Sequence, residues 1–220
     1  MRILLLCDDL WHPGEVVTRG LRPFRKLGYD PDVVMAPKDV LTPGMIREYD
    51  VIINARGAAH SPANSQAPWF EPGVTEVMPE DFRAYVEEGG GFIALHAGNT
   101  FSEKNVPAMA EFIGNAFIGH PPRCRVEARP VGDHPIVKGV GLFTIRDEHY
   151  RIRLLADDAE VFLETTSDTP AGTQVAGYTR RIGKGRLCVL TPGHNCSVLE
   201  SEPFTRLLAN AVEWCAGNPV

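Results

Sequence analysis

Short apolar runs, spaced along the first hundred residues, carry the main structural signal of this sequence. Four of them are rich in aliphatic residues, as in strands that are buried on both faces of a parallel sheet. They occupy residues 3–7, 32–36, 51–54 and 92–95. Amphipathic helical patterns fall between them, one over residues 15–27, where Pro23 predicts a kink or a restart, and another that Pro79 opens. The βαβαβαβ order predicts an α/β fold with a parallel sheet and right-handed crossovers.

The polarity pattern changes at about residue 120, where apolar and polar residues begin to alternate. Alternation with a period of two is typical of strands that have one wet face. It runs over residues 123–129, 143–151 and 161–165. Residues 175–179 and 186–190 flank a Gly-Lys-Gly turn, which is typical of a hairpin, and Ser201 begins a final amphipathic helix. We therefore expect an antiparallel extension of the sheet within a single domain, residues 1–220.

Composition narrows the classes of function. The chain is 44% hydrophobic and 23% charged, which is typical of a soluble globular protein. Its formal net charge of −6 argues against sequence-independent binding of nucleic acid and gives no support for a polybasic membrane contact. Its apolar stretches are too short for a membrane span or a signal peptide, and its five cysteines lack a C-x-x-C spacing. We expect a cytoplasmic protein without nucleic-acid or membrane partners.

One stretch, Gly-Gly-Gly-Phe-Ile-Ala-Leu-His-Ala-Gly at residues 89–98, combines a buried strand with a glycine-flanked turn. Its second half has the form of a nucleophile elbow, in which a strand turns sharply into a helix and exposes one side chain. Here that exposed position holds His96, where a Ser or Cys nucleophile is usual. Small residues at 94, 97 and 98 would allow the close backbone approach that such a turn needs. The alternative is an ordinary turn with a half-buried His96.

Four of the seven histidines each follow a predicted strand, at the edge where ligands bind in open α/β sheets. They are His12, His60, His96 and His194. A single histidine is more often structural, but four at one sheet edge predict a shared pocket. A helix dipole should disfavour the cationic form of His96, which would leave a neutral imidazole able to act as a general base.

A carboxylate and a phenol are predicted to join these histidines. In the stretch Asp-Glu-His-Tyr at residues 147–150, strand alternation places Glu148 and Tyr150 on one face, with Asp147 and His149 on the other. If Glu148 faces the pocket, it can orient an imidazole and raise its basicity. The alternative is an exposed Glu148 on an edge strand.

A metal centre is the second chemistry that these residues suggest. His12, His60 and His194, with Asp8 or Glu148, would offer the nitrogen and oxygen ligands that a divalent metal such as zinc accepts. No H-x-x-x-H or H-E-x-x-H spacing supports this arrangement locally. Metal binding therefore stays an alternative to metal-free chemistry.

Several motifs occur in the order seen in one known family. They are Gly-Gly-Gly-Phe-Ile-Ala-Leu-His at 89–96, Gly-His-Pro at 119–121, Asp-His-Pro-Ile at 133–136, Asp-Glu-His-Tyr at 147–150, Tyr-Thr-Arg at 178–180, Gly-Lys-Gly-Arg at 183–186 and Pro-Gly-His at 192–194. Together they resemble ThuA-like (trehalose utilisation) proteins over nearly the whole chain. The resemblance implies a flavodoxin-like fold of the class I glutamine amidotransferase type.

The resemblance also shows what this chain lacks. In the amidotransferases the elbow carries a nucleophilic Cys, and a His-x-Glu stretch completes the triad. Here the elbow residue is His96, His194 resembles the triad histidine, and Cys196 stands where the Glu would be. Both departures argue against glutamine hydrolysis. What the resemblance implies instead is a carbohydrate substrate, including disaccharides oxidised to 3-keto forms.

We therefore expect an enzyme that removes a proton beside a carbonyl of a keto-sugar or glycoside, with hydrolysis, elimination or isomerisation as the outcome. His96 or His194 would be the base, and Glu148 would orient it. The substrate would be bound by Asp8, His12, His60 and Tyr150. Two alternatives stay open: a metal-dependent hydrolase that uses the same histidines, and a non-catalytic module that binds a sugar or a partner. The segment at residues 55–77 would cover the pocket or contribute to a homodimer or higher homo-oligomer.

Overall fold

The computed structural model describes residues 1–58 and 69–220, and these residues form eleven strands and seven α-helices. The strands are β1 (Ile3–Cys7), β2 (Asp32–Met35), β3 (Val51–Asn54), β4 (Gly91–Leu95), β5 (Asn115–Gly119), β6 (Cys124–Pro130), β7 (Phe143–Asp147), β8 (Arg151–Leu154), β9 (Glu160–Thr166), β10 (Thr173–Ile182) and β11 (Gly185–Leu190). The helices are α1 (Gly14–Gly20), α2 (Arg22–Lys26), α3 (Pro43–Ile46), α4 (Pro79–Glu88), α5 (Pro107–Ile113), α6 (Cys196–Leu199) and α7 (Glu202–Cys215).

Nine of the described strands form one mixed sheet, in the order β2-β1-β3-β4-β11-β10-β9-β6-β7. The first five strands in this order are parallel to one another. The remaining neighbours pair antiparallel, and β5 pairs with β8 in a separate two-stranded sheet. The predicted α/β, flavodoxin-like fold is thus confirmed, with its mostly parallel sheet and an antiparallel extension in the second half of the chain.

Helices cover the parallel sheet on both faces. Leu5 of β1 belongs to a core cluster that includes residues of α1, α2 and α7, whereas Leu4 and Leu6 belong to a cluster with residues of α4 and α5. All five residues of β1 are buried. Burial on both faces explains why β1, β3 and β4 are continuous apolar runs in the sequence. The strand predicted at residues 32–36 differs, because β2 lies at the edge of the sheet and none of its residues is buried. Because the strands are parallel, the polar residues that follow them collect at one edge of the sheet.

The segment at residues 143–151 departs from the prediction of one continuous strand. β7 ends at Asp147, and β8 begins at Arg151 in the separate two-stranded sheet. The chain turns between them, where the amide of Tyr150 donates to the carbonyl oxygen of Glu148 at 3.1 Å. The phase of the alternation changes across this break, since the apolar residues of β7 are Phe143 and Ile145 and those of β8 are Ile152 and Leu154.

Three further elements bear on the predictions. The first helix restarts as expected, since α1 ends at Gly20 and Pro23 lies in the first turn of α2, where a missing amide hydrogen costs nothing.

By contrast, the polarity pattern did not predict α5 and β5, which are only seven and five residues long. Among the described residues, no helix has the length and apolarity needed to cross a membrane.

Candidate active site

A cavity of about 860 Å³ opens beyond the carboxyl ends of the parallel strands, within the size range of small-molecule sites. Segments that follow six different strands, β1, β3, β4, β5, β7 and β11, contribute to its wall. The polar and aromatic wall residues include Trp11, His12, His120, Glu148, Tyr150 and His194.

The loop after β1 is built around the buried carboxylate of Asp9. Its Oδ1 accepts hydrogen bonds from the backbone amides of Trp11 and His12, both at 2.9 Å, and lies 2.7 Å from His12 Nδ1. Its Oδ2 accepts from the amide of Gly57 at 2.7 Å. Because a carboxylate can only accept, His12 carries a proton on Nδ1, and the neutral ring presents the lone pair of Nε2.

Burial and pairing act in opposite directions on these two groups. Burial lowers the pKa of His12, and the hydrogen bond to Asp9 offsets only part of that effect, so the net shift is downward. Burial raises the pKa of the Asp9 carboxyl, but the bonds from His12 and from the amides of Gly57 and Trp11 outweigh it and lower the pKa. Asp9 is therefore an anion that supports a largely neutral imidazole.

Asp8, which the sequence suggested as a substrate or metal contact, lies elsewhere. Its backbone has a φ of +79°, and its Oδ1 accepts from the amide of Gly14 at 3.0 Å, at the start of α1. It is outside the cavity wall, which Asp9 joins instead. Strand alternation cannot be extended through a left-handed residue, and for this reason the sequence pattern does not distinguish Asp8 from Asp9.

His96 occupies the turn after β4, but the expectation of an exposed side chain is wrong. The turn has the tight geometry of an elbow: φ of His96 is +42°, and a Cβ added at Gly98 would lie 2.1 Å from the carbonyl oxygen of Asn54. The imidazole is only 2% exposed, because the ring of Tyr150 stacks on it at 4.3 Å between centroids.

The helix dipole that was expected to act on His96 is absent, and a hydrogen bond fixes which of its ring nitrogens carries a proton. A single 3₁₀ turn, His96–Asn99, follows β4 where an α-helix was expected, so the dipole argument does not hold. Nδ1 of His96 lies 2.7 Å from the carbonyl oxygen of Thr191. A carbonyl only accepts, so Nδ1 carries a proton, and Nε2 is the nitrogen that faces Glu148, at 3.5 Å.

Asp147 and Glu148, adjacent in the chain, have separate tasks. Asp147 is buried and accepts hydrogen bonds from the amides of Gly193 and His194, at 2.7 and 3.1 Å. It thereby holds the loop after β11 that carries His194. Glu148 and Tyr150 belong to the cavity wall, whereas Asp147 does not.

Glu148 lies at the centre of the polar cluster. Its carboxylate is 3.2 Å from Nδ1 of His194, 3.5 Å from Nε2 of His96 and 3.6 Å from Nε2 of His120. The first two of these nitrogens are buried and have no well-aligned hydrogen-bond partner among the described residues. Burial opposes ionisation of Glu148, but the interactions with His194 and His96 outweigh it and hold its pKa well below its usual range. The site thus has an anion at its centre, with nitrogen atoms that can take up a proton or a cation.

His120 is a site residue that reasoning from strand ends missed. It comes directly after β5, which the polarity pattern does not predict. Its Nδ1 lies 2.9 Å from the carbonyl oxygen of Pro121, and its Nε2 faces Glu148. It is the most exposed of the three imidazoles around that carboxylate. The Gly-His-Pro motif at residues 119–121 was the available signal.

Three imidazoles converge on one point, although they are far apart in the chain. The ring centroids of His12, His96 and His194 are 5.0 to 5.4 Å from one another. With Glu148, each residue offers one ligand atom, and the four atoms lie within 4.8 Å of one another. This nitrogen and oxygen set fits a divalent metal such as zinc. The Nδ1 hydrogen bonds of His12 and His96 are of the kind that orient metal-binding imidazoles.

Two other residues bear on the predicted site. His60, predicted to be a pocket residue and a metal ligand, lies outside the residues that the structure describes. Cys196 begins α6, and its thiol donates to the carbonyl oxygen of Val16 in α1 at 3.3 Å. The thiol is therefore engaged with α1 and is not part of the cavity wall.

The family model ThuA, which describes trehalose utilisation, matches residues 18–215. The chain belongs to the ThuA family. The matched region of this ThuA-family protein includes His96, Glu148 and His194, whereas the loop that carries His12 precedes it. Membership associates the chain with trehalose utilisation and carbohydrate metabolism.

Several solved structures share this fold, and two of them are of ThuA-like proteins. One from Parabacteroides merdae has a TM-score of 0.78 and 19% identity, with 100% of this chain and 91% of its own chain covered. One from Bacteroides uniformis has a TM-score of 0.72 and 20% identity, with 97% and 91% covered. A cytoplasmic protein from Salmonella typhimurium has a TM-score of 0.70 and 16% identity, with 98% and 99% covered. A comparison with curated proteins finds no match.

Proposed function

We propose that this ThuA-family protein is an enzyme that acts on a sugar or keto-glycoside by acid/base chemistry beside a carbonyl group. One observation carries the proposal: the carboxylate of Glu148 lies among three imidazoles in a cavity of small-molecule size. The family's association with trehalose utilisation supports a carbohydrate ligand. The elbow holds His96 in place of Ser or Cys, and the proposed chemistry needs no covalent nucleophile.

His194 is the proposed base. It belongs to the cavity wall, and the carboxylate of Glu148, 3.2 Å from Nδ1, orients the ring and stabilises its cationic form. Nε2 then takes the proton from the carbon beside the carbonyl, and the electron pair of that C–H bond moves to the carbonyl oxygen. His120, across the same carboxylate and the more exposed ring, gives that oxygen a proton. His96 is too buried to reach a substrate, and its Nε2, 3.5 Å from the carboxylate, helps to position Glu148.

The resulting enediol can react in two ways, and in each of them every proton that was transferred is accounted for. In an isomerisation, the proton that His194 removed returns to the neighbouring carbon, and the hydroxyl proton returns to His120. In an elimination, the hydroxyl proton returns to His120 and the carbonyl re-forms as the C–O bond to the substituent two carbons away breaks, and the leaving oxygen takes the proton that His194 removed. In both cases the carboxylate of Glu148 stays ionised and stabilises whichever imidazole is charged.

The first test uses a 3-keto-disaccharide and follows its consumption by the purified protein. We expect His194→Gln and Glu148→Gln each to lower kcat by about 10² to 10⁴-fold, the usual contribution of a positioned acid or base. His149→Gln is the matched control, because His149 follows Glu148 in the chain but its ring contacts Thr165 and Ser167. Unchanged turnover in both site variants would contradict the proposal. A sugar that raises the melting temperature but is never consumed would indicate a binding module instead.

A metal-dependent hydrolase is the second candidate, and the tautomers of the cluster favour it. His12 and His96 each hold a proton on Nδ1 and direct Nε2 to the space shared with His194 and Glu148. These four residues would hold the ion, which would supply Lewis-acid polarisation of a substrate oxygen.

Metal analysis separates the two candidates. One ion per chain that is lost in His12→Gln, with activity that a chelator removes and added zinc restores, would support the hydrolase. The variant is informative because the acid/base scheme gives His12 no proton to transfer. A fully active preparation without bound metal would contradict the metal-dependent candidate.

We propose a cytoplasmic location. All five cysteines are free thiols, and three of them are buried, as in proteins of a reducing compartment. The similar fold from Salmonella typhimurium is that of a protein named as cytoplasmic. Fractionation of the native organism would test this, and recovery of the protein outside the cytoplasm would contradict it.

A further inference from the structure

We propose that the indole of Trp11 is a platform on which one pyranose ring of the substrate stacks, beside the ring that reacts at Glu148. The inference rests on the proposed carbohydrate function and assigns a binding role to a residue outside the acid/base machinery. It holds for either of the two candidate chemistries.

The indole of Trp11 is exposed to an extent that packing does not explain. Its relative exposure is 70%, the highest of any large hydrophobic side chain among the described residues, whereas Trp69 and Trp214 are buried. A large aromatic side chain left in water forgoes the stabilisation that burial would provide. Because Trp11 also forms part of the cavity wall, a ligand in the cavity is the natural partner for this surface.

The exposed indole stands on a fixed backbone. The amides of Trp11 and His12 both donate to the same oxygen of Asp9, whose second oxygen is held by the amide of Gly57. One buried carboxylate thus holds, in consecutive residues, the backbone of Trp11 and the imidazole of His12. A ligand that binds to such a preorganised loop loses little additional conformational entropy.

The position of the indole fits a ring next to the reacting one. Consecutive Cα atoms are about 3.8 Å apart, so Trp11 begins one residue away from the cluster that contains His12. The cavity of about 860 Å³ lies near the upper end of the range for small-molecule sites, which leaves room beside Glu148 for a second ring.

The cavity also has the two surfaces that a sugar requires. Phe117 provides a second aromatic wall, with its ring 4.8 Å from that of Tyr150. The imidazoles and the carboxylate of Glu148 provide hydrogen-bonding groups in the same cavity. A pyranose has C–H groups on one face, which suit an aromatic surface, and hydroxyl groups around its edge, which suit the polar cluster.

The kinetic test compares 3-keto-trehalose, which has two rings, with 3-keto-glucose, which has one. We expect Trp11→Ala to raise KM for the two-ring sugar about tenfold with kcat little changed, because stacking is lost from ground state and transition state alike. KM for the one-ring sugar should not change, and Trp11→Tyr should recover most of the loss. Leu10→Ala is the matched control: Leu10 is 42% exposed on the same loop but is not part of the cavity wall.

A binding measurement tests the platform without turnover. Trp11 is the exposed indole, so bound trehalose should protect the fluorescence of the wild-type protein from acrylamide quenching, and Trp11→Tyr should abolish this protection. Protection by trehalose in a protein that turns over no 3-keto sugar would refute the proposed reaction while it supports the platform. Trp11→Ala that matches Leu10→Ala in both assays would overturn the platform. So would a change of oligomeric state in Trp11→Ala, since the indole would then be a contact between copies of the chain.

Discussion

The substitution Asp9→Asn is the sharpest test of how the site is assembled. Asp9 is buried, and its two carboxylate oxygens accept from four donors: the amides of Trp11, His12 and Gly57, and Nδ1 of His12. Asparagine has the same shape but only one acceptor oxygen, and its NH₂ group can only donate. Whichever way the amide is turned, at least one buried donor is left facing another donor.

The expected loss follows from the less damaging of the two orientations. If the oxygen of the asparagine side chain keeps the donors on the Trp11 side, the amide of Gly57 loses its partner, and an unsatisfied buried donor costs about 1–3 kcal/mol. The remaining bonds also lose the strength that the negative charge gave them. We therefore expect Asp9→Asn to lower the free energy of unfolding by about 2–4 kcal/mol. For a chain of this length, that corresponds to a fall in Tm of about 5–15 °C.

Urea and thermal unfolding followed by circular dichroism measure this loss, with Asp8→Asn as the neighbouring control. Asp8 makes one hydrogen bond, to the amide of Gly14, so its substitution should cost about 1 kcal/mol. The pKa of Asp9 is lowered in the folded state, so its contribution is fully present above the unfolded value of about 3.9. It is lost as the pH falls through the lower folded-state pKa. The difference between wild type and Asp9→Asn should therefore shrink only in strong acid.

Equal stability of the wild-type protein and Asp9→Asn at pH 7 would refute this reasoning. It would mean that the four hydrogen bonds do not hold the loop that carries His12. A larger loss in Asp8→Asn than in Asp9→Asn would refute it in a different way, because it would reverse the assigned roles of the two carboxylates.

Three further predictions concern residues elsewhere in the fold. Gly98→Ala should lower the free energy of unfolding by about 3 kcal/mol in urea titrations, because its Cβ would lie 2.1 Å from the Asn54 carbonyl oxygen; a neutral effect would show that the turn can open. Burial raises the pKa of Cys7 to about 12, so at pH 8 a thiol reagent should label Cys196 in the native protein while Cys7 stays unlabelled, and rapid labelling of Cys7 would contradict its burial. Burial also lowers the pKa of His134, so its stabilising contribution is present above the unfolded pKa of about 6.5 and is lost as the pH falls through the lower folded-state pKa. His134→Gln should therefore weaken the decline in the free energy of unfolding between pH 7.5 and 5. An unchanged decline would contradict this role of His134.

The fold was accessible from the sequence because the hydrophobic pattern of a parallel sheet is strong and local. Strands buried on both faces, such as β1 and β4, appear as continuous apolar runs, and their carboxyl ends must meet at one edge. From the sequence alone, that rule predicts that His12, His96 and His194 lie at the same edge. Short elements with weaker patterns, β5 above all, were missed, and His120 was missed with them.

What the sequence by itself determined is the set of strands, their common edge and the chemical types of the residues that follow them. Only the tertiary structure decided which neighbour faces the cavity: Asp9 in place of Asp8, and an imidazole of His96 that is buried beneath Tyr150. It also decided the tautomers of two imidazoles, through Asp9 and the carbonyl oxygen of Thr191. The physical reason is that periodicity reports burial along regular backbone, whereas side-chain direction after a strand depends on left-handed residues and on hydrogen bonds to distant parts of the chain.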